Sequence, residues 1–232
     1  MMSVAADDLK NGKVRIDHRL ILEMIEPGAS VLDLGCGTGE LLTLLVKERN
    51  VRGQGIEIDD RAIFECVARR LSVFQDDIDS GLPEYGDRSF DYVIMNQSFQ
   101  QVKRPDTVMR EALRVGGRVI VGIPNFAHIT SRCQVFFEGR APVTPALPYE
   151  WHDTPNLHFL SIIDFLGYCK SRGIHVEKAR YAGARGCVVI FPNLLARTGV
   201  FRLRRHHEYE RRKRGFCCRG CDNPRRKGDL GR

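Results

Sequence analysis

The chain has 232 residues, of which 43% are hydrophobic and 28% charged, as in an ordinary globular protein. A chain of this length can bury one full hydrophobic core, so we expect one main domain with an appendage. No apolar run approaches the roughly 20 residues that cross a bilayer, and the amino terminus, MMSVAADDLK, has acids where a secretory signal would be basic. We therefore predict a cytoplasmic protein without a membrane span.

The net charge of +7 is concentrated at the carboxyl terminus. Residues 204–232 contain 11 Lys and Arg against 4 Asp and Glu, so residues 1–203 are formally neutral. Since the basic stretch has almost no apolar periodicity, we predict a domain over 1–203 and a disordered tail over 204–232. The tail's RRKR could instead contact nucleic acid, and its CCRGC could hold a metal, but the cysteines lack two separated pairs and the body is neutral.

In chain order, short β-branched runs alternate with helical patterns, which is typical of a mostly parallel sheet covered by helices on both faces. The first predicted element is a helix over 13–25. Seven strands are predicted at SVLDL (30–34), VRGQGIEI (51–58), LSVFQD (71–76), FDYVIMN (90–96), GRVIVGI (117–123), HVEKARYA (175–182) and CVVIF (187–191). Further helices are predicted at 40–49, 61–70, 106–114 and 161–173. The fold class is therefore α/β, with a seven-stranded, mostly parallel sheet.

The motif VLDLGCGTG (31–39) places three glycines at alternate positions behind the first strand. Glycines at such a turn let the backbone approach a ligand, and the next helix aims its amides at it. The spacing is not the G-x-G-x-x-G of dinucleotide sites, and Asp33 and Glu40 put negative charge where a pyrophosphate would lie. A cationic ligand fits better, and S-adenosylmethionine combines an ammonium and a sulfonium with an adenosine.

Acidic residues also end the next two strands. Glu57 lies 22 residues after Gly35, where a carboxylate can accept both ribose hydroxyls. Asp77, in preference to Asp76, can accept a hydrogen bond from the adenine amino group. Any one of these acids alone would be read as a solvated loop residue, but three successive strand ends favour one site. The predicted cofactor-binding residues are Asp33, Gly35, Cys36, Gly37, Gly39, Glu57, Ile58, Asp77, Ile78 and Asn96.

The segment 123–160 follows the fifth strand and contains five of the ten prolines, the only Trp and three of the seven His residues. This composition favours a stiff lid or binding loop over the ligand. The candidates for substrate or partner contact are Asn125, Tyr149, Trp151 and His158. His152, Asp153 and His158 do not match a recurring metal-ligand spacing, so we predict no metal site.

No residue identifies itself as a catalytic base, so the catalytic residues stay unassigned. Methyl transfer needs mainly in-line positioning, with a base only if the acceptor starts protonated. If a base exists, His128 or Glu150 is the choice, although a histidine in this segment is equally well read as a packed hydrogen-bonding group. Asn96 and Gln97 end the fourth strand, where they can face the methyl group.

Over residues 13–191 the element order resembles the class I S-adenosylmethionine-dependent methyltransferases. The segments VLDLGCG, GIEID, FDYVI, RPDTVMREALRVG, PNFAH and above all GRAPVTPALPYEWHDTPNLHF are similar to the MetW family, named for methionine biosynthesis. This resemblance implies a Rossmann-like class I methyltransferase fold, S-adenosylmethionine as cofactor, and an association with homoserine O-acetyltransferase. It ends near VFRL (200–203), so the basic tail has no counterpart.

Two functions stay open at this point. The first is an S-adenosylmethionine-binding protein that modulates the acyltransferase of methionine biosynthesis. The second is an active methyltransferase on an unidentified small-molecule acceptor, independent of any acyltransferase. The glycine motif and the acids serve both functions equally, and only an acceptor pocket separates them.

Overall fold

The computed structural model describes residues 14–184 and 186–205. Most of the predicted tail, including CCRGC, lies outside these residues. The helices of the described part are α1 (Ile16–Leu22), α2 (Glu40–Arg49), α3 (Asp60–Ala68), α4 (Pro105–Val115), α5 (Ile129–Cys133), α6 (Ile162–Ser171) and α7 (Pro192–Leu195). Its strands are β1 (Ser30–Leu34), β2 (Arg52–Glu57), β3 (Ser72–Gln75), β4 (Phe90–Asn96), β5 (Gly116–Pro124), β6 (Ile174–Ala182) and β7 (Thr198–Arg205).

The seven strands form one sheet in the order β3-β2-β1-β4-β5-β7-β6. The pairings from β3 through β5 are all parallel, whereas β7 runs antiparallel between β5 and β6. The α/β class and the mostly parallel sheet are thus as predicted. Because β1 to β5 are parallel, their carboxyl ends meet at one edge, where open α/β sheets bind ligands.

The seventh strand was predicted at the wrong place. Residues 187–191 have no regular secondary structure: Cys187 makes one isolated bridge with Ala182, and Val189 and Ile190 are exposed. The strand is instead TGVFRLRR (198–205), whose Val200, Phe201 and Leu203 are buried within the sheet. A β-branched run has strand propensity in both cases, but burial between β5 and β6 decides which segment pairs.

Both faces of the sheet are covered by apolar side chains. Val31 and Ile94 face a core formed with α1 and α2, while Leu32 and Met95 face the larger core formed with α4 and α6. The alternation along β1 and β4 follows from the period of two in a strand. Their near-continuous apolar sequences are typical of parallel strands buried on both faces.

The end of β7 is tied to β6 by an ionic cluster. Glu177 lies within 3.3 Å of the Arg118, Arg202 and Arg204 guanidinium nitrogens, and all four side chains are mostly buried. Arg204 and Arg205 also pair with the start of β6. The domain boundary predicted after residue 203 therefore cuts a strand, and we propose that the folded unit extends to Arg205.

Truncation tests this boundary. Ending the chain after Leu203 removes one arginine of the cluster and two paired strand residues, which should cost about 1–2 kcal/mol of unfolding free energy and lower the melting temperature by about 2–8 °C. Ending it after Arg205 should leave the melting temperature nearly unchanged, as expected from the low apolar content of the tail. Equal melting temperatures for the two truncations would place the boundary at or before residue 203.

Candidate functional site

A cavity of about 620 Å³ lies at the carboxyl ends of β1, β2, β3 and β4. It is lined by predicted cofactor residues from all four strand ends, including Asp33, Glu57, Asp77 and Asn96. Of the other predicted cofactor residues, Gly35, Cys36, Gly37, Ile58 and Ile78 also line it. Gly39, the N-cap residue of α2, does not line it.

Two positions of the glycine loop require glycine, for different reasons. Gly35 has φ +73°, and a Cβ there would lie 2.8 Å from the Cβ of Ser98. Gly37 has φ +53° and no neighbour within 4 Å of an added Cβ, so at this position only the left-handed backbone requires glycine. The backbone amides of Gly35 and Cys36 both donate to the Ile56 carbonyl, which fixes the loop to β2.

Asp33, near the end of β1, is the most unusual group of the site. Only 2% of its surface is exposed, and no described residue donates a hydrogen bond to its carboxylate. Burial, together with the negative charge of Glu57, raises the pKa of Asp33 to about 7. A buried carboxylate without donors is unfavourable unless a cation or a donor group reaches it.

Glu57 is held in place by three backbone amides. Its Oε2 accepts from Gly37 at 2.7 Å, and its Oε1 accepts from Ile58 at 2.8 Å and from Asp59 at 3.1 Å. These bonds connect the glycine loop to the turn after β2. They fix the carboxylate at the cavity wall without using all of its lone pairs.

The third wall follows β3. Asp77 accepts from the Asp79 amide at 2.9 Å and begins a short 3-10 turn, Ile78–Ser80, while Asp76 is exposed. Ile58, 62% exposed, and Ile78 add apolar surface to the same cavity. An aromatic base can pack on such apolar side chains while a carboxylate accepts a hydrogen bond from its amino group.

Asn96 ends β4, and its side-chain amide is tied to the helix before the glycine motif. Its Nδ2 donates to Asp17 of α1 at 3.1 Å. The next residue, Gln97, has the left-handed φ of +63°, and its carbonyl accepts from the side chains of Gln100 and Gln101. The backbone turns sharply here beside the cavity, which fits a ligand wall.

Sequence reasoning missed the contribution of α1. Arg15 and His18 line the cavity, and the buried Asp17 accepts from Arg15 at 2.7 and 3.1 Å. The pKa of Asp17 is lowered: burial opposes this, but nearby His18 and Arg15 outweigh it. For His18, by contrast, burial is the main cause of a lowered pKa. The detectable signal was the charged run RIDHR inside an apolar helix, where charged side chains need partners.

Several predicted contact residues lie away from the cavity. Asn125 is buried, and its amide donates to the Asn193 and Ala196 carbonyls and accepts from Ala127, so it ties β5 to α7.

His128 caps α5 by accepting from Thr130, and burial lowers its pKa. Glu150 is exposed and 3.7 Å from His152. Neither candidate base lines the cavity.

Of the remaining contact candidates, Tyr149 alone reaches the cavity. His158 bonds through Nε2 to the Val102 carbonyl at 3.0 Å. Trp151 is 77% exposed and touches His152 edge-on. The segment 123–160 thus lies partly over the cavity and partly on the outer surface.

Across residues 14–184 and 186–205, no group of three or more His, Cys, Asp or Glu side chains is arranged to hold a metal ion. In the same residues, the structure contains no helix with the length and apolar content of a membrane span.

Residues 15–203 match the family described as "Methionine biosynthesis protein MetW". The chain belongs to the MetW family. A bifunctional methionine biosynthesis protein MetXA/MetW of Rhodopirellula baltica is 36% identical over 160 residues, which are 65% of this chain and 26% of that protein. A ribosomal protein L11 methyltransferase of Burkholderia mallei is 34% identical over 106 residues, 44% of this chain and 35% of that one. This MetW chain therefore spans about a quarter to a third of the curated relatives it matches.

Solved structures share the fold. A SAM-dependent methyltransferase from Thermotoga maritima has a TM-score of 0.57 at 18% identity, over 81% of this chain and 87% of that one. A TehB-like SAM-dependent methyltransferase from Corynebacterium glutamicum has a TM-score of 0.54 at 17% identity, over 87% and 96%. The predicted family and the Rossmann-like class I methyltransferase fold are confirmed.

The raised pKa of Asp33 predicts how stability depends on pH. Between the unfolded pKa of about 4 and the folded pKa of about 7, the folded state keeps a proton that the unfolded state releases. The free energy of unfolding contributed by Asp33 therefore falls as the pH rises through this range and is constant above it. Asp33→Asn, without ligand, should be more stable than the parent at pH 8 by on the order of 2–4 kcal/mol and nearly equal to it at pH 4.

Denaturant unfolding of both proteins between pH 4 and pH 8 measures this difference. Asp60→Asn, at an exposed residue of α3, is the matched control and should show no such trend. Parallel stability curves for Asp33→Asn and the parent would contradict the assignment.

Proposed function

We propose that this MetW protein binds S-adenosylmethionine in the cavity at the ends of β1 to β4. The observation that carries the proposal is the buried Asp33 carboxylate, which lies beside the glycine loop with no donor from the described residues. The ammonium and sulfonium of S-adenosylmethionine supply positive charge to such a group. The SAM-dependent methyltransferases that share the fold support the same ligand.

The proposed contacts follow the ligand from end to end. Asp33 and the loop backbone, with Asn96 nearby, receive the methionine part. Glu57 accepts the ribose hydroxyls with a carboxylate that three amides already orient. Asp77 accepts from the adenine amino group, and Ile58 and Ile78 pack on the ring.

Glu57→Ala tests the ribose contact. Loss of two charge-assisted hydrogen bonds should weaken S-adenosylmethionine binding by roughly 2–4 kcal/mol, measured by calorimetric titration. Glu84→Ala, at an exposed glutamate outside the cavity, should bind like the parent. NAD should not bind detectably to the parent or to either variant, because the acidic side chains of the cavity would repel its pyrophosphate.

An unchanged dissociation constant in folded Glu57→Ala would place Glu57 outside the site. Tighter binding of NAD than of S-adenosylmethionine would overturn the cofactor proposal as a whole. Because Glu57 also fixes the loop, circular dichroism and a melting curve accompany each titration.

We further propose that the protein acts in methionine biosynthesis with homoserine O-acetyltransferase. The relative named MetXA/MetW supports this pairing, because it carries two methionine biosynthesis functions in one chain. S-adenosylmethionine is made from methionine, so a protein that binds it can report the output of the pathway to an early step. Such coupling is reciprocal: each ligand changes the affinity for the other by the same factor.

The outer surface of the segment 123–160 is the proposed contact with the acyltransferase. Phe136, Phe137 and Trp151 are each at least 77% exposed, and the rings of Phe136 and Phe137 contact one another edge-on. Exposed aromatic residues are typical anchors of protein interfaces. Trp151 lines a pocket together with Gln134 and Glu138, the two ends of the helical turn 134–138 that carries Phe136 and Phe137.

Trp151→Ala should weaken the complex with homoserine O-acetyltransferase at least about tenfold. Co-elution and acetyl-transfer assays of the two purified proteins, with and without S-adenosylmethionine, measure the effect. Phe64→Ala is the control, because Phe64 is 76% exposed on α3, outside this segment. If no complex forms and the rate of acetyl transfer does not change, the partner proposal fails.

One observation favours the second candidate function, methyl transfer to a small-molecule acceptor. A second cavity adjoins the proposed cofactor site and shares Arg15, Gln97, Gln101 and Tyr149 with it. A bound acceptor there would lie next to the methyl donor. Incubation with S-adenosylmethionine and detection of S-adenosylhomocysteine tests this activity independently of the acyltransferase.

A further inference from the structure

The second cavity has a volume of about 500 Å³ and opens between the start of α1, the turn after β4 and the Pro-rich segment. It differs from the first cavity in charge. The charged residues of the first cavity are six acids, Asp33, Glu40, Glu57, Asp76, Asp77 and Asp79, against two bases, Arg15 and Lys103. The charged residues of the second are Arg15, Asp17 and Arg197. The two cavities therefore suit ligands of opposite charge.

Arg197 is the available cation of the second cavity. Asp17 and Arg15 neutralise one another through two hydrogen bonds, whereas none of the described residues forms an ion pair or side-chain hydrogen bond with Arg197. Its backbone is fixed, because its amide donates to Ala182 and its carbonyl accepts from Asn125, each at 2.8 Å. A guanidinium on a fixed backbone binds carboxylates well.

We propose that the second cavity binds a small carboxylic acid. Arg197 pairs with the carboxylate, and the rest of the cavity is lined mostly by neutral residues. Neither cavity is lined by His128 or Glu150. The inference rests on the proposed function only for the identity of the neighbouring ligand, S-adenosylmethionine.

The probes are 4-hydroxybutyrate, 4-aminobutyrate and the neutral 4-hydroxybutanamide, with saturation-transfer NMR on the full chain in the presence of S-adenosylhomocysteine. At least one of the two acids should bind at least about tenfold more tightly than the amide, because a charge-assisted bidentate contact is lost. Arg197→Gln should remove the preference, and Arg197→Lys should keep part of it. Arg61→Gln, at an exposed arginine outside both cavities, should bind like the parent.

Equal binding of acids and amide, no binding of either acid, or an unchanged preference in Arg197→Gln would overturn the inference. The comparison of acid with amide needs no variant, so misfolding of Arg197→Gln does not spoil the test. Calorimetric titration of S-adenosylhomocysteine into the same samples separates the two proposals. If S-adenosylhomocysteine does not bind, the proposed cofactor site is contradicted. If it binds but the carboxylic acids do not, only this inference is contradicted.

Discussion

The carboxylate of Asp33 is the group on which the site depends. It lies near the end of a strand that is paired on both sides, by β2 and by β4, so water has little access to it. The sheet therefore holds a negative charge, or the proton that replaces it, in a place that disfavours charge. A cation that binds in the adjoining cavity stabilises the buried carboxylate. Relief of this unfavourable burial therefore contributes to the binding free energy of the ligand.

Glu57 gives the site its second constraint. By accepting from Gly37 and from the turn after β2, it makes the glycine loop and the second strand end one hydrogen-bonded unit. In the proposed complex, these bonds thus position the glycine loop, which contacts the methionine part, together with Glu57, which contacts the ribose. A change at Glu57 is expected to disturb both, which is why folding controls accompany its titration.

Much of this arrangement could be predicted from the sequence. Parallel strands bring their carboxyl ends to one edge, so Asp33, Glu57 and Asp77, each close to a strand end, had to lie near one another once the strands were recognised. The strand at 198–205 was missed because its alternating arginines look like the start of the basic tail. Arg202 and Arg204 both pair with Glu177 of β6, a contact that no local pattern reveals.

The errors at the site have the same origin. Asn125 was expected to contact a substrate because buried and ligand-binding asparagines look alike in sequence, but its amide joins β5 to α7. Arg15 and His18 were overlooked because α1 precedes the glycine motif, and only the tertiary fold brings them to it. Long-range packing, rather than propensity, decides both cases.

Proton release on ligand binding is the measurement that tests the account most directly. S-adenosylmethionine is titrated calorimetrically at pH 6.5 in two buffers of different ionisation enthalpy. If its positive charge reaches Asp33, the pKa of the carboxyl falls from about 7 and a proton is released, an exchange that Asp33→Asn should lose. Binding without proton release, or equal release by Asp33→Asn, would contradict the central role of this carboxylate.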